Sequence, residues 1–473
     1  MGQDTDSVGW GQFLKGKNKY SSIALAGGVG LHAIDVYITI SILPTIVKDI
    51  GGIQYYSLNT VLYIVASILG SALSSKLLAK SSPKKAFNTA LLFFGTGSLL
   101  CCLAPSMIIM LIGRTIQGFG GGLLFALAYA MIRLLFEPKL WPRAMALISA
   151  MWGVATLTGP AIGGLFAEFG VWRAAFGSVV VLTVLYSFLT NIVLKKFDQE
   201  NTSGVSSKIP FVRLILLVLS VLTVSISSLD ENPTKNILGI LICALLFGTL
   251  AFLERGPSAS RVLPTNSFKL GSPIFTIYAA MAFLVIGMQS EVFIPLFLQK
   301  IHLQTPFASG YIAALMAAGW SIASMFFSGL TKKEDISRIV LASPLIMLFG
   351  SITLSYFLPH ATSSLIFIGA GLLFLGFGIG MGYPYLVTRL FMAIPEEEKE
   401  LASASVTTSQ LFFTSLGAAL AGAIVNFNGI SHAQTIEEYS YISKTLLFGF
   451  CLFPIVAIFF NYIVSKRINN EPV

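Results

Sequence analysis

Three residues in this sequence carry charge where the surrounding chain is apolar: Asp35, Arg114 and Glu291. Arg114 lies in a long apolar run from Met107 to Leu135, within Leu111-Ile112-Gly113-Arg114-Thr115-Ile116-Gln117-Gly118-Phe119-Gly120-Gly121-Gly122. A guanidinium keeps its proton in every protein environment. Holding one inside hydrocarbon costs at least about 2.5–3.5 kcal/mol, so it faces a bundle interior or a wet cavity and has an anionic partner. Asp35, near the centre of the first apolar run, is the natural partner. Arg114 sits four to six residues outward of the centre of its own run, roughly 6–9 Å at 1.5 Å per residue, a gap that a long side chain spans. Such a pair does one of two things. It locks two helices together, a role that apolar packing fills equally well. Or it titrates: desolvation opposes a bare carboxylate, a guanidinium favours it, and a change in their separation moves a proton.

Glu291 lies roughly 9 Å outward of the middle of its run and has no basic partner evident from the sequence. It reads as a second proton-coupling group or as a residue of a wet outer vestibule. His32, three residues before Asp35, lies on nearly the same helix face and either shares the proton or packs against a neighbour. Gln117 is placed to hold Arg114, and Gln289 to hold Glu291.

The elements that position these groups follow from composition. Of 473 residues, 55% are hydrophobic and 11% charged, against about 25% charged in a soluble domain. Apolar runs of crossing length recur from end to end, which predicts an all-α polytopic membrane protein. Fourteen spans are expected, among them 23–47, 107–132, 144–167, 273–298 and 441–465. The net charge of +9 is topology rather than a nucleic-acid signal. With the N-terminus inside, the inner loops and tails hold 24 Lys and Arg and the outer side five, so both termini are expected in the cytoplasm. The seventh and eighth spans are short, and a shallow hairpin preserves the same polarity. The expected organisation is a cytoplasmic tail (1–22, uncleaved), a six-helix bundle (23–194), a linker (195–210) containing the Ser/Lys-rich stretch 201–208, a two-helix insert (211–253), a cytoplasmic loop (254–272), a second six-helix bundle (273–465) and a tail (466–473). Cys101, Cys102, Cys243 and Cys451 all lie in apolar runs without metal or disulfide spacing.

In the fifth span, Gly153-Val154-Ala155-Thr156-Leu157-Thr158-Gly159-Pro160-Ala161-Ile162-Gly163-Gly164 presents Gly159 and Gly163 as a GxxxG face for close helix approach. Pro160 removes one backbone hydrogen bond and bends the helix. With these motifs the chain resembles the major facilitator superfamily, specifically its fourteen-span drug:proton antiporters. Residues 153–164 look like that family's antiporter motif, and residues 111–122 like its fourth-helix motif, with Arg114 and Gln117 in register. Asp35-Val36-Tyr37 through Leu43-Pro44-Thr45-Ile46-Val47, Trp172-Arg173, and Pro295-Leu296-Phe297-Leu298-Gln299 with Ser309-Gly310 are similar to further family segments. One departure stands out. Between the second and third spans, Lys84 and Lys85 of the inner-gate loop remain, but Ala79 occupies the place of the family's usual acid. The matching loop Gly329-Leu330-Thr331-Lys332-Lys333 is similarly degraded, so the inner closure is expected to be weaker or built differently.

The resemblance implies alternating access by two rocking bundles, with inverted three-helix repeats around a midplane site. The span-5 glycines would seal the outer side. It implies proton-driven export of amphipathic or cationic small molecules from a bacterial plasma membrane. Asp35, Arg114 and Glu291 would couple the proton, and Tyr37, Gln117, Trp152, Gln289, Trp320, Tyr383 and Gln410 are candidates for the substrate cavity. A dedicated exporter of one metabolite, siderophore or lipid-like compound is the alternative; a channel is a further one. An enzyme is not expected: there is no HExxH, no paired histidines and no phosphate-binding glycine loop. No cofactor or metal is expected. The partners are substrate, protons and the bilayer, with a monomer as the working unit.

Overall fold

The computed structural model describes residues 17–137, 140–197, 210–230, 232–256 and 261–470. The tail before residue 17 and the 201–208 stretch lie outside the described residues. The chain is a succession of helices: α1 (Lys17–Ile50), α2 (Tyr56–Lys80), α3 (Pro83–Cys102), α4 (Met107–Leu135), α5 (Trp141–Glu168), α6 (Trp172–Val193), α7 (Phe211–Ser227), α8 (Pro233–Leu253), α9 (Pro273–Met288), α10 (Ile294–Lys300), α11 (Pro306–Phe327), α12 (Lys333–Phe357), α13 (Leu365–Ala393), α14 (Lys399–Phe427), α15 (Ile436–Phe450) and α16 (Leu452–Asn470). Among the described residues, thirteen helical segments are long and apolar enough to cross a membrane, and α7 is a shorter apolar helix. The protein is an all-α, integral multi-pass membrane protein.

Local chemistry sets several boundaries. Ser82, Asn232, Ser272 and Thr305 each accept a hydrogen bond from a backbone N–H of the helix they precede, and each is followed by proline at the first helical position. That combination satisfies an orphan donor and places a residue that has none. Thr435 and Glu438 form a reciprocal capping box. The cap starts the last crossing at Ile436, five residues before the expected position.

The ninth expected span is not one continuous helix. Residues Gln289–Phe293 form a 3-10 turn between α9 and α10. Pro295, at the start of α10, supplies the reason: it has no N–H to donate back into the preceding turn. The segment is therefore a broken crossing with Glu291 at the break.

The two halves of the chain repeat one packing device. In the first, α4 is sandwiched between α2 and α3; in the second, α13 is sandwiched between α11 and α12. Both central helices are glycine-rich. A Cβ at Gly118 or Gly122 would overlap the backbone of Tyr63 or Ser67 on α2, and one at Gly120 the backbone of Phe94 on α3. On α13, Gly376 and Gly380 abut the backbone of Met316 and Trp320 on α11, and Gly378 that of Met347 on α12. Without a hydrophobic drive between helices in lipid, such backbone-to-backbone contact supplies the packing energy. Gly122→Ala is thus expected to destabilise the protein by about 1–3 kcal/mol, read as a lowered Tm in detergent. Gly248→Ala on α8, where a Cβ meets nothing within 4 Å, should leave Tm unchanged or raise it.

Helices α7 and α8 pack against each other, and α7 also lies against α2 and α14, one helix from each half. At the end that carries the termini, Arg213 Nε lies 3.0 Å from Glu254 Oε1. Glu254 also accepts from the Val262 and Leu263 N–H groups at 3.1 Å each. Phe247 of α8 stacks on Phe412 of α14.

At the opposite end, Asp49 accepts from Arg173 Nη1 at 2.7 Å and from Trp172 Nε1 at 3.0 Å, while Arg173 Nη2 donates to the Ala104 carbonyl at 3.0 Å. These bonds tie together the far ends of α1, α3 and α6. The two halves meet at this same far end. Tyr311 Oη donates to the Leu157 carbonyl at 2.9 Å, and Asn426 Nδ2 to the Gln54 carbonyl at 3.0 Å. Tyr56 stacks on Phe293. Gly164 is so close to α11 that a Cβ there would lie 2.6 Å from the Phe307 Cα.

Candidate functional site

Asp35 on α1, Arg114 on α4 and Gln117 one turn further along α4 form a closed ring inside the first half. Arg114 Nη1 donates to Asp35 Oδ2 at 2.7 Å and to Gln117 Oε1 at 2.6 Å; Gln117 Nε2 donates to Asp35 Oδ1 at 2.7 Å. The three are 0%, 2% and 0% exposed, respectively, so solvent does not share these bonds. Both carboxylate oxygens are engaged and the two formal charges cancel. Charge-assisted bonds of this length are the strong kind.

The local sequence explains the arrangement. Residues 114 and 117 are three apart and share one face of α4. The glycines at 118, 120 and 122 bring that face close to α2 and α3. Ser98 of α3 accepts from Gln117 Nε2 at 2.8 Å. On α2, the Asn59 carbonyl accepts from Arg114 Nε at 3.5 Å, and the Tyr63 ring lies 4.0 Å beneath the guanidinium carbon. A cation over a ring is worth about 2 kcal/mol or more when desolvated. Tyr63 Oη also meets His32 Nδ1 at 2.9 Å.

Asn59, Tyr63 and Ser98 escape the sequence reading. A signal exists for two of them: Asn59, Tyr63 and Ser67 recur every four residues and mark one polar face on an otherwise apolar α2. Nothing in the spacing of Ser98 separates it from other membrane serines.

Glu291 is partly buried at the break between α9 and α10. Among the described residues no basic group pairs with it. The turn that carries it, Gln289–Phe293, touches α2 of the first half and α14 of the second. Gln289 does not hold it. Its side-chain amide donates back to the Val285 carbonyl at 3.2 Å, and the side chain packs against Gly417 of α14.

The seven candidate cavity residues divide into two groups. Gln117 is consumed by the ring and turns no free amide outward. Trp152 sets its edge to His32 and Phe125. Tyr37 packs against Gly159 of α5. In the second half, Trp320 and Tyr383 have ring centroids 5.7 Å apart, and the buried Tyr383 hydroxyl has no hydrogen-bond partner. Gln410 is partly exposed on α14.

The motif glycines divide too. A Cβ at Gly159 would overlap Tyr37, and one at Gly163 would lie 2.8 Å from the Ile38 carbonyl oxygen, so both serve the α1–α5 contact. Gly164 instead faces α11 of the second half. Pro160 continues α5 without ending it and lies against Gly310. Gly153 has open space around it and takes no part in packing, contrary to the sequence reading. Lys84 and Lys85 open α3 at the end that carries the termini, where the Lys85 N–H bonds the Ser82 side chain. Among the described residues, no three His, Cys, Asp or Glu side chains come together as a metal site requires.

The sequence profile of the Major Facilitator Superfamily matches residues 25–422. The chain belongs to this superfamily. A relative named a probable multidrug-efflux transporter, from Mycobacterium tuberculosis, is 36% identical over 414 residues, covering 86% of this chain and 87% of its own. A multidrug efflux pump of Staphylococcus aureus is 25% identical, covering 92% of each chain. Among solved structures, a POT family transporter superposes with a TM-score of 0.66 at 13% identity, covering 97% of this chain and 99% of the other. A bacterial homologue of the human lysosomal transporter Spinster gives 0.61 at 16% identity, covering 97% and 100%. At such identities the likeness establishes the major facilitator fold, two six-helix bundles with α7 and α8 as an insert. The chain is a transporter of that superfamily, acting on small molecules.

Proposed function

We propose that this transporter is a proton-coupled exporter of the fourteen-span drug:proton antiporter group, and that the Asp35–Arg114–Gln117 ring is its coupling site. The ring is the observation that carries the reading. A guanidinium and a carboxylate of zero combined charge fit a dry bundle; protonating Asp35 removes the attraction and leaves Arg114 uncompensated. The two protonation states therefore favour different arrangements of α1 against α4, which is what coupling requires. The moving bodies are taken as residues 23–194 and 273–465, with both termini in the cytoplasm of a bacterial cell and a monomer as the working unit.

In this cycle, substrate enters from the cytoplasmic side while Asp35 is ionised and the Gly164–Phe307 contact keeps the outer face closed. The bundles then rock, Asp35 takes a proton from outside, and substrate leaves. One charge crossing 100 mV is worth about 2.3 kcal/mol, and at 1.36 kcal/mol per decade each proton supports roughly a 50-fold gradient of a neutral substrate per 100 mV; a cationic substrate moving the other way cancels part of that electrical term. Glu291, at the break between α9 and α10 and without a basic partner among the described residues, would meet a cation on the substrate. The efflux names of the relatives support amphipathic cations as cargo, which aromatic side chains such as Tyr37, Trp152 and Trp320 suit.

The test is efflux from proteoliposomes under an imposed pH gradient, with ethidium, a neutral amphipath and an anionic dye. Ethidium transport should follow the gradient, with acid on the destination side driving it, and be abolished by a proton ionophore. Transport of all three at rates unaffected by the gradient would end the antiport reading.

A further inference from the structure

We propose that the α7–α8 insert moves as part of the second half, and that the contact between α7 and α2 is the seam that slides during transport. This goes beyond the reading of 23–194 and 273–465 as the moving bodies, and it rests on those halves rocking. Helix α7 lies against α2 of the first half and α14 of the second. Those two helices touch at the far end, where a Cβ at Gly422 of α14 would overlap Ser57 of α2. A rocking motion that opens the far end changes their separation. A rigid α7 then keeps its packing on one of them and gives it up on the other.

The bonds at the end that carries the termini decide which. Glu254, just past α8 and 7% exposed, has both oxygens engaged: Oε1 by Arg213 of α7 and the Val262 N–H, Oε2 by the Leu263 N–H. Residues 261–265 lead from there to a second carboxylate. Glu398, in the turn that opens into α14, accepts from the Thr265 N–H at 2.7 Å, from the Thr265 hydroxyl, and from Arg261 Nη1 at 3.5 Å. Arg261 Nε also donates to the Gly256 carbonyl at 2.8 Å. The Arg261 and Glu398 side chains are 14% and 16% exposed, so water competes little for these charge-assisted bonds. Deeper in the membrane, Phe247 of α8 lies 5.6 Å, centroid to centroid, from both Phe412 of α14 and Phe268 of the connecting loop. On the side of the first half, the Lys76 ammonium of α2 stands 5.6 Å from the centroid of the Phe211 ring of α7, a contact of the weak kind where it is exposed. Packed helix faces slide past one another in shear motions. A buried carboxylate does not leave its donors without a replacement. The insert is therefore clamped to α14 through Glu254 and Glu398, and α2 is the helix it moves against.

The experiment crosslinks three cysteine pairs with a short bis-methanethiosulfonate in proteoliposomes. Ethidium transport is read before reaction, after it, and after reduction. Wild type treated alike gives the background from the four native cysteines. Phe247→Cys with Phe412→Cys joins α8 to α14; Lys76→Cys with Phe211→Cys joins α2 to α7; Gln54→Cys with Asn426→Cys joins the two halves at the far end. Each pair is compared with its own unreacted form. The proposal expects the first crosslink to leave transport within twofold, and the second to lower it at least tenfold until reduced. The third must block transport if the halves rock. Loss of transport on crosslinking the first pair, or its retention with the second pair fully crosslinked, would overturn the proposal while a block by the third leaves the rocking reading intact. Retained transport with the third pair crosslinked would remove the rocking reading and the sliding seam together.

Discussion

Replacing Asp35 with Asn is expected to reduce pH-driven transport to the level of empty vesicles and, at the same time, to lower Tm. The second effect follows from the ring. Arg114 is 2% exposed, and the variant leaves its charge without an anion. Breaking a buried pair from one side costs about 3–5 kcal/mol, whereas neutralising both partners is often harmless. The double substitution Asp35→Asn with Arg114→Gln is therefore expected to regain most of the lost Tm and none of the transport. Thermal unfolding in detergent and driven ethidium transport read the two effects separately. A double variant with wild-type transport would reduce the pair to a packing device.

Gly159→Leu is expected to lower turnover at least tenfold by forcing α5 away from Tyr37. A Cβ alone already overlaps that side chain, and small-to-large changes in a packed contact cost about 1–3 kcal/mol even where the neighbours yield. Because α5 also meets the second half through Gly164 and Phe307, the displacement also disturbs the meeting of the two halves. Passive proton entry, followed with a pH-sensitive dye in the lumen, should rise. Gly153→Ala, at a position with open space, should transport as wild type. Equal behaviour of the two variants would show the glycine face to be incidental. Gly164→Leu tests another surface, the contact with Phe307 across the halves.

The amino-acid sequence alone determined the class of molecule and the central pair. An apolar chain with 11% charged residues has few solutions other than crossing helices, because backbone groups in lipid must bond within their own helix. A guanidinium in such a helix demands an anion, and Asp35 and Glu291 were the two acids placed deep in apolar runs. Gln117 was legible as well, three residues from Arg114 on the same helical face. The broken ninth crossing had a visible signal in Pro295, yet whether a proline ends, bends or merely enters a helix depends on what its neighbours offer the freed carbonyls.

Tertiary structure alone decided everything that depends on which helices touch. Ser98, Asn59 and Tyr63 join the ring because the glycines of α4 draw α2 and α3 into contact, and a helical period carries no information about the neighbouring helix. The same blindness hid the division within 153–164, where Gly159 and Gly163 serve α1, Gly164 serves α11 and Gly153 serves neither. It also hid which neighbour His32 meets, the Tyr63 hydroxyl of α2. Charge in hydrocarbon is a local demand that a sequence must announce; the choice of partner is a matter of shape, and shape exists only once the helices have packed.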